Sequence, residues 1–325
     1  MQFNWKSLLK LLGPVLFVFL LLRVVDPKQA AQHLKVVRLD IVFLSILLFP
    51  IIMFVKTLRW QIICRQINLT IPMGKLYQIN YISWFWGNFP LGGISVLSKL
   101  VYLKKEGKPV SATFVSISLD KFLDIIGVLI FGLYGFFYFP ANIVGKNTLW
   151  LFLGIMVCLI ASVFILRSKL VGTAKAWLDR YLHHKVRNFG GEIETALKQF
   201  WSRFKLNKFF LIFALSICLY LLMSLAFYTL AMALGLHLSF GLVVGCIALI
   251  GIVNIVPISA NALGTRDAVL LLVLPLAGYS AESALALGFV SFLWATLFKF
   301  SGILFWFKYP LPLGSFKAHK KQILP

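Results

Sequence analysis

The stretch WFWGNFPLGGISVLSKLVYLKK, Trp84 to Lys105, decides how this chain folds. It lies within otherwise apolar sequence, yet it gathers Gly87, Asn88, Pro90, Gly92, Gly93, Ser95 and Ser98 within a dozen residues and sets Lys99 behind them. Proline removes a backbone donor and stops a helix, and glycine permits the turn that follows. The apolar run Leu76–Leu103 therefore splits into two pieces. A hydrocarbon core needs about 20 apolar residues per helix, so neither piece crosses alone. A second run, Gly241–Ala277, splits in the same way at GIVNIVPISANALGTRDAVLLLVL, Gly251 to Leu274.

Composition sets the class around these breaks. The chain has 325 residues, 60% hydrophobic and 13% charged. A soluble domain carries about 25% charged residues, so this is a polytopic membrane protein. The net charge of +22 does not mark a nucleic-acid binder, because the bases flank long apolar runs as they do in cytoplasmic membrane loops. Cys64, Cys158, Cys218 and Cys246 lie in apolar segments without paired spacing, and the five histidines are scattered. Neither a disulfide frame nor a metal site is expected, and no cofactor is implied.

Full-length spans are predicted at Leu8–Val25, Ile41–Ile62, Ala112–Phe139, Thr148–Leu166, Phe209–Leu234 and Ser283–Phe307. The first is expected to stay uncleaved, since the following RVVDPKQAAQ is too charged for a cleavage site. With Leu76–Leu103 and Gly241–Ala277 as hairpins and a cytoplasmic amino terminus, 22 bases fall inside and five outside. If Leu76–Leu103 crossed once, the ten bases of Arg167–Lys208 would move outside, against the positive-inside rule. The expected fold is an all-α polytopic membrane protein, with six full transmembrane helices plus two re-entrant helical hairpins. It forms one integral domain over 1–325, in the cytoplasmic membrane, with both termini cytoplasmic. Within 167–208, Leu170, Ala174, Trp177, Leu178, Tyr181 and Leu182 recur at helical spacing among ten bases. That pattern suits a helix lying on the anionic inner leaflet.

The two breaks match. PLGGISVLSK, Pro90 to Lys99, and PISANALGTR, Pro257 to Arg266, both read proline, any residue, two small residues, five more, then a base. One hairpin (76–103) belongs to a half spanning 41–139 and the other (241–277) to a half spanning 209–307. They open to opposite sides, the pattern of an inverted repeat whose broken helices meet around a midplane site. Amides at a half-helix start attract an anion. Lys99 and Arg266 add to that field, and Asn88, Ser95, Ser259 and Asn261 offer neutral hydrogen bonds. The natural ligand is a phosphate-bearing lipid headgroup, whose tails stay in the bilayer.

Asp120, Lys121 and Asp124 fall within one span, Lys56 in another and Lys299 in the last. A charge at the bilayer centre costs about 2.5–3.5 kcal/mol on insertion scales, so such groups pair or line a wet path. Two readings of Asp120 and Asp124 stand: they hold the hairpins by pairing with Lys99 and Arg266, or they form the acidic half of a headgroup or proton-coupling site. Lys56, one turn from Arg59, is expected to snorkel to the inner surface.

At these residues the chain resembles the lysylphosphatidylglycerol synthetase transmembrane-region family, also called flippase-like or UPF0104 membrane proteins. Pro257, Ser259, Asn261, Gly264, Arg266 and Asp267 carry the resemblance in PISANALGTRDAVLLLVLPLAGYSAESALALGF, with Asp267 in place of glutamate and Ala262 in place of glycine. NFPLGGISVLSK resembles a second motif, where Ile94, Ser95 and Val96 replace a glycine-glycine-aspartate and Lys99 an arginine. Asp120-Lys121 is similar to an aspartate-arginine of the next span. The resemblance implies movement of a lipid with a polar or charged headgroup between leaflets, as in the membrane half of the multiple peptide resistance factor. That protein adds a soluble aminoacyl-transferase domain, for which this chain is expected to have no room.

The candidate substrate-binding set is therefore Asn88, Pro90, Gly92, Gly93, Ser95, Lys99, Asp120, Lys121, Asp124, Pro257, Ser259, Asn261, Gly264, Arg266, Asp267 and Lys299. The expected partners are an anionic phospholipid or a polyprenyl-phosphate-linked lipid, with room left for a homo-oligomer. A lipid-carrier-dependent glycosyl- or acyl-transferase, or an accessory subunit of one, is the alternative. The sequence shows no phosphate-binding loop, zinc spacing or nucleophile elbow, so an enzyme is not expected.

Overall fold

The computed structural model describes residues 37–87, 94–139, 184–203, 205–254 and 264–310. The predicted spans Leu8–Val25 and Thr148–Leu166, residues 167–183 and both hairpin tips lie outside them. Every regular element among the described residues is a helix.

Helix α1 covers Leu39–Gln66, with Asp40 in its first turn and Arg65 in its last, each charge opposing the helix dipole at its end. Asn68 follows it at φ 60, a conformation asparagine tolerates. Helices α2 (Met73–Trp86) and α4 (Val110–Phe136) start behind Pro72 and Pro109, where the missing donor costs nothing. Between them, α3 covers Ile94–Lys105. Helix α5 is His184–Arg203 and α6 is Leu206–Ala233. Helix α7 is Phe240–Val253, its start capped by the Ser239 hydroxyl, and α8 is Thr265–Val273. Helices α9 (Ala281–Phe300) and α10 (Gly302–Lys308) form one apolar run bent at Ser301.

Among the described residues, three runs are long and apolar enough to cross a membrane: Leu39–Gln66, Leu206–Ala233 and Ala281–Lys308. Each turns large apolar side chains outward. On α1 these are Leu39, Phe43, Leu47, Ile51 and Phe54, one continuous face. Such a stripe has no place in water and is what lipid contacts. Helix α4 has the length of a span, 27 residues, but carries Asp120, Lys121 and Asp124. The chain is a multi-pass membrane protein.

Hydrogen bonds and ion pairs fix the direction of the helices they join. The Arg38 amide donates to the Ala233 carbonyl at 2.8 Å, so the start of α1 meets the end of α6 and the two long helices run antiparallel. In the first hairpin, the Ser83 hydroxyl reaches the Ser95 carbonyl beside the break at 2.8 Å, and Lys75 pairs with Glu106 at 2.6 Å where the helices begin and end. Helices α2 and α3 are therefore arms of a hairpin that returns to the end it came from. The second hairpin closes likewise: the Tyr279 hydroxyl, beyond α8, donates to the His237 carbonyl, ahead of α7, at 2.7 Å.

Each hairpin packs on the other half. Helix α2 lies against α9 and α10, and α7 lies against α4, while α1 and α6 pair between them. The aromatic stretch at the first break does this seating: Trp86 meets Trp306 edge-on at 5.9 Å, while Trp84 meets Phe49 of α1, in its own half, edge-on at 5.6 Å. The α4–α7 crossing depends on absent side chains. A Cβ on Gly135 would strike the Gly245 backbone, and one on Gly241 would strike the Tyr138 ring.

The two ends of the bundle differ in charge. One end gathers the first hairpin's foot, the Arg203–Asn68 contact and the Tyr102 bond to the Tyr309 carbonyl, with Arg65, Lys75, Lys104, Lys105 and Lys308 around them. The other gathers Arg38, already paired with Asp40, with His237, Tyr279 and Glu282. Helix α5 packs against the basic end through Ala196 and Phe200, in one cluster with Trp60, Leu103 and Val115.

Candidate functional site

Helices α1, α4 and α6 enclose a network of charges. Arg59 is wholly buried on α1, and Asp120 on α4 is 2% exposed. The guanidinium donates to Asp120 Oδ1 through Nε at 3.0 Å and Nη2 at 2.7 Å, to Asp124 Oδ1 at 2.5 Å, and to Ser216 Oγ on α6 at 3.1 Å. Asp124 also pairs with Lys56 at 3.2 Å and with Lys121 at 3.6 Å. The Tyr220 hydroxyl donates to the Asp124 carbonyl at 2.6 Å and ties α6 to the same turn. The two carboxylates are four residues apart and share a helix face. Lys56 and Arg59, three apart, present a matching face.

This arrangement corrects two sequence expectations. Asp120 and Asp124 find their bases on α1, not in Lys99 and Arg266, because α1 rather than a hairpin packs beside that face of α4. Lys56 does not snorkel: it is 7% exposed and its ammonium is held by Asp124. Arg59, one turn further on and inside the predicted span Ile41–Ile62, is likewise held within the protein. Two bases three apart in a predicted span, with two acids four apart in another, was the signal available for this match.

Lys99 sits on α3 at 6% exposure, with Nζ 4.1 Å from the centroid of the Trp60 ring. The indole is fixed by its Nε1–H bond to Ser116 Oγ at 3.2 Å. A cation over an indole face is stabilised by about 2 kcal/mol when desolvated. No described carboxylate pairs with Lys99. The Ser95 carbonyl accepts from the hydroxyls of Ser83 and Ser98, so this residue helps close the hairpin.

In the second half, Gly264 precedes α8 at φ 82, a conformation favouring glycine. Its amide donates to Asp267 Oδ2 at 2.8 Å. This amide, expected to face an anion, is taken by the chain's own carboxylate. Arg266 Nη1 donates to Ser291 Oγ on α9 at 3.1 Å. Lys299, also on α9, lies within electrostatic reach of Arg266 and of Lys121, and Lys99 within that of Asp120, Lys56, Lys121 and Asp124. The bases of the two halves thus share one field. Asn88, Pro90, Gly92, Gly93, Pro257, Ser259 and Asn261 lie outside the described residues. The described residues hold no cluster of His, Cys, Asp and Glu able to bind a metal ion.

The family model described as lysylphosphatidylglycerol synthase TM region matches residues 7–300. UPF0104 membrane protein PH1989 of Pyrococcus horikoshii is 25% identical over 187 residues, covering 54% of this chain and 54% of that protein. The chain spans about half the length of the curated relative it matches. No solved structure matches it. With the family's model covering most of a helical, multi-pass chain, the protein belongs to the lysylphosphatidylglycerol synthase TM region family.

Proposed function

We propose that this protein is a flippase-like transporter that moves a lipid with a phosphate-bearing headgroup between leaflets of the cytoplasmic membrane. The observation that carries the reading is a meeting of bases from both halves, the buried Lys99 and the exposed Lys121 with the half-buried Arg266 and Lys299, between hairpins that close at opposite ends. Arms of 14 and 12 residues are about 21 and 18 Å long, short of a hydrocarbon core of about 30 Å. That length, with both feet of each hairpin at one end, supports re-entrant entry and the inverted repeat of 41–139 with 209–307. The basic end then faces the cytoplasm. An anionic headgroup would pass between the hairpins while its tails stay in lipid, which suits alternating access better than a pore.

Orientation is tested by thiol labelling in intact cells, with the native cysteines replaced. A cysteine at Lys105 should resist an impermeant reagent and one at Tyr279 should react. Labelling of Lys105 from outside would remove both the hairpin and the inverted repeat.

Transport is tested in proteoliposomes with defined headgroups. Lys99→Gln and Arg266→Gln are each expected to slow leaflet exchange of anionic phospholipid at least about tenfold and that of zwitterionic lipid much less, as loss of a charge-assisted bond predicts. Arg266→Lys should recover only part, since an ammonium lacks the guanidinium fork. Equal loss for every headgroup would mean that these bases only hold the hairpins.

A further inference from the structure

Asp267 holds a buried oxygen that no donor meets. The residue is 1% exposed on α8, and its Oδ2 accepts from the Gly264 amide at 2.8 Å. Its Oδ1 is buried without a hydrogen-bond partner, and among the described residues no ion pair reaches the carboxyl. The adjacent Arg266 sends Nη1 to Ser291 Oγ on α9. Across from Oδ1 stands Gly288 of α9: the oxygen fills the place that a Cβ there would take, with a Leu270 methyl beside it. An ionised carboxylate in such a notch is penalised on the oxygen left bare, and a neutral carboxyl far less. The start of α8 favours negative charge, yet the amide it offers serves Oδ2. A metal ion needs several oxygen ligands, and Oδ1 is packed on a glycine and a methyl. What fits at Oδ1 is a proton.

We propose, resting on the transporter reading, that Asp267 is a proton-binding site and that the protein exchanges one proton for each lipid anion it moves. The Gly264 amide links the two. A headgroup oxygen arriving at the start of α8 takes the same donor, so the anion and the carboxyl exclude each other there. Displaced from the notch, the carboxyl meets water; its O–H bond breaks and the proton passes to that water. After the lipid leaves, the carboxylate takes a proton from water onto Oδ1 and returns, since the notch does not hold its charged form. With alternating access, release and uptake face opposite sides of the membrane, so the proton travels against the lipid. The elements packed on α8 bring few other titratable groups: Cys246 on α7, Glu282 and Lys299 on α9, and none in the turn Pro275–Ala277. Arg266, on α8 itself, lies within electrostatic reach of Asp267.

The proton is read directly by infrared spectroscopy of the full chain, in a detergent that has no carbonyl group. At about pH 7.5 an ordinary aspartate, with a pKa of about 3.9, is ionised. The parent chain should nevertheless show a protonated-carboxyl band that Asp267→Asn lacks; Asp120 and Asp124 are ion-paired and do not supply it. Gly288→Ala, whose Cβ takes the place of Oδ1, should lose the band with the carboxyl still present. Ether-linked phosphatidylglycerol, which has no carbonyl of its own, should weaken the band, and ether-linked phosphatidylcholine should not. The exchange is read in proteoliposomes with the membrane potential clamped. Across a gradient of about one pH unit, phosphatidylglycerol should gather about tenfold in the leaflet on the acidic side, the equilibrium of a one-for-one exchange. Asp267→Asn should show no such bias. A band missing from the parent at about pH 7.5, or kept in Asp267→Asn, would overturn the proton site. Phosphatidylglycerol that moves but settles evenly across the gradient would overturn the coupling and leave the transporter standing. No movement of any lipid by the parent would overturn the transporter, and the coupling with it.

Discussion

Arg59→Leu is expected to destabilise the protein in detergent by about 3–5 kcal/mol, the usual result of removing one partner from a buried ion pair. The cost falls on Asp120. Asp124 keeps Lys56 and Lys121, but Asp120 pairs only with Arg59 among the described bases and is 2% exposed. Its carboxylate would remain buried without a counter-charge, and Ser216 would lose its donor. The double variant Arg59→Leu/Asp120→Leu should recover most of the loss, because apolar side chains filling a buried pair's volume are often neutral or better. Lys121→Gln should stay within about 0.5 kcal/mol, as exposed substitutions do. The measurement is the thermal midpoint of each purified variant. An Arg59→Leu variant as stable as the parent would show that this network does not hold α1, α4 and α6 together.

Gly135→Val is expected to cost about 3 kcal/mol, at the upper end of over-packing penalties. Its Cβ would meet the backbone of Gly245, which cannot swing aside as a side chain would. Helices α4 and α7 would have to separate along a crossing that also places Gly241 under Tyr138 and Gly251 against Val128. Helix α7 is one arm of the second hairpin, so exchange activity should fall with stability. Gly74→Ala is the control: nothing lies within 4 Å of that position, and alanine favours the helix. If Gly135→Val and Gly74→Ala melt alike, the close crossing is not what seats the hairpin.

The membrane class and the long helices were legible because apolar runs of this length allow little else. Boundaries were less so: Ile41–Ile62 was expected where α1 runs from Leu39 to Gln66. A helix continues past the hydrocarbon as long as no residue stops it, and hydropathy alone does not see those turns. The acids at Asp120 and Asp124 were found from their cost in lipid, but their partners depended on which helix packs beside them, which spacing along the chain does not specify. GLVVG, Gly241 to Gly245, announces a close helix contact without naming Gly135 as the other side. The closure of the second hairpin by Tyr279 on a backbone carbonyl left no pattern at all.

The short arms of the hairpins bear on how the protein would feel the membrane voltage. Where each hairpin admits water from its own side, as alternating access requires, the low-dielectric slab is thinned to the septum between the two approaches. The potential then drops across that septum instead of across the full bilayer. Each elementary charge carried through the whole potential is worth about 2.3 kcal/mol per 100 mV. An anionic headgroup, crossing only this thin region, would traverse nearly all of the field in one short step. In the arrangement proposed above, the cell's own polarisation, negative inside, drives such a headgroup outward and opposes its return.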